Sequence, residues 1–504
     1  MERIVILSSI PFLFRFLPVF LAVYCLTPAK YRDGVLFAGS ILFYAAGEPR
    51  FVLLLMGLIV VNYAMGSYMF YEKEQNAQVR RKFLFFAAVI LDLYTLVLCK
   101  ILALSVSSSL LPIGMSFYLF KMISWQADLY TGKTQQKPGF LATAAYFSMF
   151  PQITQGPIMR FSDYYASTKE NERQKVKLSV QSALQPEWLR KLSSNEQLSI
   201  ETGEGTIVFE TEEKKTGTHM VTLDGFEEGL AYTVIGLGMK ILLADRIGIL
   251  WNELVKIGFE SISTPLAWLG AYGYSMQLFY DFWGYSLIAA GVGRMLGFRF
   301  IVNFDHPYAA GSVAEFYRRW HATLGSWFRD YVYIPLGGSR KGTGATIRNL
   351  MIVWLLTGFW QGGTLNFILW GLILGVIIVL EKYPLSGIMK KTKIPGRFHV
   401  LVLIPLTWAV FAITDLKSLG VYFGRLFPFF GVGKTLDPAD FIRYGKIYLP
   451  FFAAGAVLCV PAVYRFIVRN RKHPLMVLAL TVIFWWSVYY MVTASSNAFM
   501  YFSF

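Results

Sequence analysis

Long apolar stretches recur along the chain and are separated by short polar loops. These stretches lack the period-two alternation of a membrane β-barrel. Several approach the roughly 20 apolar residues with which a helix crosses a bilayer. The pattern therefore predicts an all-α, polytopic integral membrane protein. The predicted spans are 8–26, 35–47, 51–71, 83–103, 109–127, 140–158, 226–244, 265–296, 347–381 (as two helices), 396–414, 447–466 and 474–494.

Several of these stretches are short or interrupted. The GEP sequence at 47–49 is a turn signal, which makes 35–71 a helical hairpin. Two prolines and a glycine within 151–157 exclude a single straight helix there. Irregular backbone at membrane depth is tolerated where it lines a cavity or is buried in protein. We therefore expect re-entrant segments, which fit a catalytic funnel or a transport path equally well.

One hydrophilic segment, residues 165–225, interrupts the apolar pattern. Within it, SIETGEGTIVFETEE predicts a β-hairpin with TGEG as the turn. We interpret the segment as a soluble insert with a small β element. The predicted regions are N-terminal membrane helices (1–164), the insert (165–225), a core (226–425) and C-terminal membrane helices (426–504).

Composition and charge agree with a membrane protein. Hydrophobic residues make up 55% of the 504 positions, and charged residues only 15%. The net charge of +16 is carried partly by basic loops, which the positive-inside rule assigns to the cytoplasm. We therefore expect no nucleic-acid partner. The three cysteines lie singly in apolar segments, so neither a disulfide framework nor a metal site is predicted.

Residues 314–370 concentrate ionisable and amide side chains within apolar sequence. Such groups are costly at membrane depth and normally face a cavity, a partner or a substrate path. We therefore expect this segment to line a polar cavity. Its candidate site residues are Tyr317, Arg318, Arg319, Trp320, His321, Arg329, Asp330, Trp360, Gln361 and Asn366.

Asp281 lies among aromatic residues in the predicted span 265–296. Two interpretations remain open for it. Either its carboxylate lines the same active site and contacts substrate, or it forms a structural ion pair with Arg294 or Arg299.

The chain resembles the membrane-bound O-acyltransferase (MBOAT) family, in the branch of the alginate O-acetylation membrane protein, which is related to the D-alanyl transfer proteins of teichoic acid modification. The motifs that carry the resemblance are PIGMSFYLF, FPQITQGPIMR, LDGFEEGL, LADR, YSMQLFYDFWGYS, RMLGFRF, NFDHPY, EFYRRWHATLGSWFRDYVYIPLGGSRKG and MYFSF.

The resemblance implies an arched bundle of roughly 11–12 transmembrane helices in the bacterial cytoplasmic membrane. It implies transfer of an acyl group, most often acetyl, from a thioester donor to hydroxyls of a cell-surface polysaccharide. The donor would be acetyl-CoA or an acyl carrier protein, used as a co-substrate with no bound cofactor. Membrane lipid and an extracytoplasmic esterase-like acyltransferase are the implied partners.

The resemblance also implies residue roles. The family's upstream polar residue, in RRWH, maps onto His321, and its invariant histidine maps onto Gln361 in FWQGG. Alcohol attack on a thioester needs a base, which imidazole supplies near neutral pH. An amide forms hydrogen bonds but does not titrate. Gln361 therefore predicts impaired or absent transfer, with His321 as the remaining nearby histidine, whereas His306 is expected to mark a loop.

Two other function classes remain open. Broken helices and intramembrane charge favour a transporter of acyl groups or glycans, although the two halves show no internal repeat. The glutamine at 361 favours a non-catalytic scaffold. Similarly, Arg318 and Arg319 are expected either to bind donor phosphates or to snorkel to anionic lipid. Thioester turnover separates the enzyme from the other two classes.

Overall fold

The computed structural model describes residues 6–74, 77–134, 139–164, 198–202, 205–209, 221–391, 394–430 and 435–493. This part of the chain is mostly helical, as predicted. The first helices are α1 (Leu17–Leu26), α2 (Arg32–Gly47), α3 (Val52–Glu74), α4 (Gln78–Ser105), α5 (Met115–Tyr130), α6 (Phe140–Ser148) and α7 (Phe150–Ile153). The later helices are α8 (Leu223–Leu237), α9 (Asp245–Ile257), α10 (Thr264–Met295), α11 (Val313–Arg319), α12 (Ala322–Phe328), α13 (Gly342–Gln361), α14 (Leu365–Lys382), α15 (Ser386–Lys391), α16 (Ile394–Phe398), α17 (Ile404–Ala412), α18 (Leu416–Leu426), α19 (Asp440–Leu458), α20 (Pro461–Arg469) and α21 (Pro474–Thr493).

The predicted helix interruptions are confirmed. A short 3-10 turn, Pro49–Phe51, separates α2 from α3 and closes the predicted hairpin. The stretch 140–158 breaks into α6 and α7, followed by irregular backbone. The stretch 347–381 forms two helices, α13 and α14. Local turn chemistry therefore sets these boundaries.

Helix α10 is the central element of the bundle, and it is buried on most sides over its 32 residues. It packs closely along α8 through glycines. A Cβ atom at Gly284 would lie 2.6 Å from the carbonyl oxygen of Gly236, and one at Gly291 would lie 2.5 Å from that of Gly229. Small residues let helix backbones approach in this way. The contact fixes α10, which carries Phe282 and Ser286 towards the site described below.

Long apolar helices confirm a multi-pass membrane architecture. Within the described ranges, four helices are long and apolar enough to cross a membrane, or five if one sharply bent pair counts as a single span. Other apolar stretches form shorter helices or, like α10, more polar ones. The four are Pro49–Lys73, Gln78–Ser105, Leu365–Lys382 and Pro474–Thr493, and the bent pair is Asp440–Leu458 with Pro461–Arg469.

The predicted span 447–466 is divided between two helices. Helix α19 ends at Leu458, and α20 leaves it at an angle of 77°. Val460 has extended dihedral angles and Pro461 begins α20. The residue before a proline is disfavoured in the α conformation, which explains the break at this point.

A β-hairpin lies within the predicted insert. Strands β1 (Leu198–Thr202) and β2 (Gly205–Phe209) pair antiparallel. This confirms the hairpin predicted from SIETGEGTIVFETEE. The remaining insert residues, 165–197 and 210–220, lie outside the described residues. The division of the chain into four regions therefore remains a prediction.

Candidate active site

A cavity of about 970 Å³ lies against one face of α13. The lining residues of this helix are spaced three or four apart, so they share one face. Leu350 and Gln361 mark the two ends of the lined face, which corresponds to about 17 Å of helix at 1.5 Å per residue. The α13 lining residues are Leu350, Val353, Trp354, Thr357 and Gln361.

The lining combines cationic and aromatic side chains. Arg318, Arg329 and Lys382 are among the lining residues, and so are Trp354 and Trp370. Lys382 begins the basic segment 382–397, which the positive-inside rule assigns to the cytoplasm. A long, partly apolar ligand with an anionic head would fit this arrangement.

His321 occupies a break between two short helices that line the cavity. Helix α11 ends at Arg319 and α12 begins at Ala322. His321 itself has a φ of 45°, in the left-handed region that few non-glycine residues adopt. The loop before α11 stabilises the break, because Ala322 N donates to the carbonyl oxygen of Asn303 at 2.9 Å. Such conformations cluster at functional sites.

The hydrogen bonds of Asn303 identify the tautomer of His321. Asn303 Nδ2 donates to Ser286 Oγ at 2.7 Å, and Asn303 Oδ1 accepts from Thr323 Oγ1 at 2.8 Å. The same Oδ1 lies 3.0 Å from His321 Nδ1. Because this oxygen only accepts, Nδ1 must carry the proton. The lone pair of the neutral imidazole is therefore on Nε2.

Nothing in the described part of the chain hydrogen-bonds His321 Nε2. The side chain is buried, and aromatic rings hold it in place. Phe282 meets the imidazole edge-on with ring centroids 4.7 Å apart, and Phe117 stacks on it at 6.2 Å. The structure thus holds an oriented imidazole, in a residue that lines the cavity, whose buried Nε2 has no described hydrogen-bond partner.

Gln361 lines the same cavity at the end of α13. The neighbouring carbonyl oxygen of Trp360 accepts a hydrogen bond of 2.5 Å from Lys100 Nζ on α4. A buried ammonium group at a helix C-terminus interacts favourably with the helix dipole. This contact therefore anchors the turn that carries Gln361.

Comparisons with known proteins agree with this geometry. The model of the MBOAT, membrane-bound O-acyltransferase family matches residues 251–420, which include His321, Asn303 and Gln361. A probable alginate O-acetylase AlgI from Pseudomonas syringae is 34% identical over 84% of this chain and 75% of its own length. The chain belongs to the membrane-bound O-acyltransferase family.

Other relatives within this family carry related names. A peptidoglycan O-acetyltransferase from Helicobacter pylori is 26% identical over 82% of this chain and 78% of its own length. A teichoic acid D-alanyltransferase from Bacillus subtilis is 30% identical over 35% of this chain and 46% of its own length. As a family member, the chain is a multi-pass membrane protein and an O-acyltransferase.

The structure brings some of the predicted site residues of this acyltransferase together. Besides His321 and Gln361, the main cavity is lined by Tyr317, Arg318, Trp320 and Arg329.

The other predicted site residues make structural contacts. Arg319 pairs with Glu315 at 2.5 Å and lines a second, smaller cavity. Asp330 pairs with Arg160 at 2.9 Å, and Arg329 Nε donates to it at 2.7 Å. Asp330 therefore links Arg329 of the main cavity to Arg160.

Trp360 and Asn366 lie beside the main cavity. The Trp360 ring packs on Phe120, with centroids 5.8 Å apart. Asn366 Nδ2 donates to the carbonyl oxygens of Val410 and Phe411, which ties α14 to α17. Both residues support the cavity wall.

Asp281 is engaged in a buried ion cluster. Lys240 Nζ lies 2.8 Å from Asp281 Oδ1 and 3.1 Å from Asp245 Oδ1. The prediction that Asp281 pairs with Arg294 or Arg299 is wrong. Arg294 pairs with Glu228 instead. The partner of Asp281 is Lys240, which lies in the π-helical segment Gly238–Ala244. Asp281 is not among the residues that line the main cavity.

Replacing Asp281 by alanine is expected to destabilise the fold by about 3–5 kcal/mol, because it breaks a buried ion pair. The thermal midpoint and the yield of monodisperse protein measure this loss. Asp281→Asn is the control, since it retains one hydrogen-bond acceptor for Lys240. A normally stable Asp281→Ala protein that has lost acyl transfer would instead assign Asp281 to the active site.

Sequence reasoning missed two residues that shape the site. Asn303 lies in the NFDHPY motif, but nothing in the motif shows that its amide reaches His321. Lys100 is 260 positions from the carbonyl group that it contacts. The described residues contain no group of three or more His, Cys, Asp or Glu side chains able to hold a metal ion.

Proposed function

We propose that this protein O-acetylates a cell-surface polysaccharide, taking the acetyl group from a thioester donor, with His321 as the general base. The relatives named for alginate and peptidoglycan O-acetylation support the reaction class and the kind of acceptor. The observation that carries the residue assignment is His321 Nε2. It has no described hydrogen-bond partner, its tautomer is fixed by Asn303, and the side chain lines the main cavity.

The proposed reaction balances within this site. The acceptor hydroxyl gives its proton to His321 Nε2 as its oxygen attacks the thioester carbonyl carbon. The C–S bond then breaks, and the leaving thiolate takes the proton from the imidazolium. The products are an ester and a thiol. General base assistance of this kind is typically worth about 10²–10⁴-fold in rate.

The donor is proposed to be acetyl-CoA or an acetylated carrier protein. Both present the thioester at the end of a phosphopantetheine arm. Arg318, Arg329 and Lys382 of the lining would bind its phosphate, and the apolar walls would hold the arm. Gln361 would hydrogen-bond the reacting group or the acceptor.

The proposed setting is the bacterial cytoplasmic membrane. The donor would enter from the cytoplasm, and the acceptor would be an extracytoplasmic polysaccharide or an esterase-like acyltransferase that passes the acetyl group on. The named relatives are bacterial proteins that modify cell-surface polymers, which supports this placement.

Two measurements test the function. Purified protein in proteoliposomes should release free thiol from labelled acetyl-CoA or acetylated carrier protein when an acceptor is present. Mass spectrometry of surface glycans should show fewer acetyl groups in cells that lack the gene. If acetylation falls in those cells but the protein turns over neither donor, a scaffold role, favoured by Gln361, replaces the catalytic one.

Asn303→Ala is expected to lower kcat by roughly tenfold to a hundredfold, because Asn303 holds the His321 tautomer, and loss of a buried hydrogen-bond partner costs about 1–3 kcal/mol. KM for the donor should change little. Asn303→Asp keeps an acceptor for His321 Nδ1 and should recover most of the rate. Equal losses in both variants, at unchanged thermal stability, would show that Asn303 does not act through His321.

A further inference from the structure

A second cavity, of about 470 Å³, lies on the other side of the wall formed by Asn303 and His321. Its lining shares no residue with that of the main cavity. Aromatic side chains form much of it, and Tyr232 stacks on Phe300 with centroids 4.2 Å apart. Its volume is within the roughly 300–1,000 Å³ of ligand pockets. The proposed acetyl transfer makes no use of this space.

A buried histidine is among the residues that line the second cavity. His306 lies between Trp283 and Tyr464, each ring centroid 5.4 Å from that of the imidazole. Only 6% of the residue is exposed, and Nε2 has no hydrogen-bond partner within the described residues. His306 Nδ1 lies 3.3 Å from a carboxylate oxygen of Asp305, which accepts a proton but does not donate one. Nε2 of the neutral ring therefore accepts, and a matching ligand must offer it a hydrogen-bond donor, which a hydroxyl group can supply.

The rim of the second cavity is cationic. Arg465 of α20 lines it and is exposed. No carboxylate in the described part of the chain lies within ion-pair distance of its guanidinium group. Arg319, the other arginine of the lining, is paired with Glu315. Arg465 is therefore the charge that remains for an anionic ligand.

Helix α20 has the character of a membrane-surface helix. It turns 77° away from α19, which brings it close to the membrane plane if α19 crosses the bilayer. Phe466 is 62% exposed on it, beside Arg465 and Arg469. Exposed aromatic and basic residues on one short amphipathic helix are typical of the headgroup region. The positive-inside rule assigns the basic segment 465–472, which includes the end of α20, to the cytoplasmic leaflet.

We propose that the second cavity binds the headgroup of an anionic phospholipid that carries hydroxyl groups, of the phosphatidylglycerol type. The headgroup hydroxyls donate to His306 Nε2 between Trp283 and Tyr464. The phosphate lies at Arg465, and the acyl chains remain in the bilayer beside Phe466. Such a lipid would support, from behind, the Asn303 wall that positions His321.

Lipid binding to the purified full-length protein tests this proposal. Native mass spectrometry or nanodisc competition would compare phosphatidylglycerol with phosphatidic acid, which has the charge but no headgroup hydroxyl, and with phosphatidylcholine. We expect phosphatidylglycerol to bind most tightly. Arg465→Gln should weaken it about tenfold or more, the scale of a hydrogen bond to a charged group. Arg469→Gln, on the same helix but outside the lining, is the matched control and should bind normally.

His306→Asn tests the hydroxyl contact. Asparagine tolerates the left-handed conformation that His306 adopts, with a φ of 46°, so the loop should keep its fold. This variant should lose the preference for phosphatidylglycerol over phosphatidic acid. The proposal fails if Arg465→Gln and Arg469→Gln weaken binding equally, which would indicate a non-specific basic surface. It also fails if soluble glycerol 3-phosphate displaces the lipid at matching concentration, or if the wild type does not distinguish the two anionic lipids.

Discussion

His321→Ala is expected to lower the rate of acetyl transfer by about 10²–10⁴-fold while leaving donor binding nearly unchanged. The physical reason is the loss of the Nε2 acceptor, which the structure orients through Asn303 and leaves without a described hydrogen-bond partner. Single-turnover release of thiol from a labelled donor in proteoliposomes, together with the donor Kd, measures the effect. His473→Ala, which alters an exposed histidine outside both cavities, is the matched control.

The backbone at His321 requires a second variant. Because φ is 45° there, alanine is strained, whereas asparagine tolerates the conformation. His321→Asn should keep the break between α11 and α12 and still lose the rate. If His321→Asn folds normally and transfers acetyl groups at the wild-type rate, His321 is not the base.

Gln361→His is expected to raise the transfer rate, up to the roughly 10²–10⁴-fold that a positioned base typically contributes. Position 361 lines the same cavity as His321 and holds an amide where the resemblance to the family implies a histidine. The assay is again thiol release, at matched protein level. Gln361→Met removes the amide without adding a base. It therefore shows how much of any rate change comes from losing the hydrogen bonds of the amide and how much from gaining a titratable side chain.

The double variant Gln361→His with His321→Ala separates the two positions. If the imidazole at 361 acts as a base, the double variant should exceed His321→Ala alone. No gain in the single variant, with expression unchanged, would show that glutamine does not limit the reaction. If the wild type already transfers acetyl groups as fast as Gln361→His, the reaction does not require a base at position 361.

Local sequence determined the membrane class and many helix boundaries. Apolar length, turn residues and prolines act over a few neighbouring residues, so the α2–α3 hairpin, the broken stretch 140–158 and the pair α13 and α14 were predictable. Because polar groups are costly to bury at membrane depth, residues 314–370 were also predicted to line a cavity. His321 and Gln361 both line the main cavity, which confirms this prediction.

Tertiary structure alone decided which polar groups meet. Lys240 and Asp281 are 41 positions apart, Asn303 and His321 are 18 apart, and Lys100 reaches Trp360 across 260. Helix periodicity shows which residues share a face, but it does not show which face of another helix lies opposite. Close approaches between helices, such as that of α8 and α10, set those pairings.

The packed structure also separates two arginines that are adjacent in sequence. Arg318 lines the main cavity, whereas Arg319 lines the second cavity. A helix turns about 100° per residue, so neighbouring side chains point to different surroundings that only the packed bundle defines.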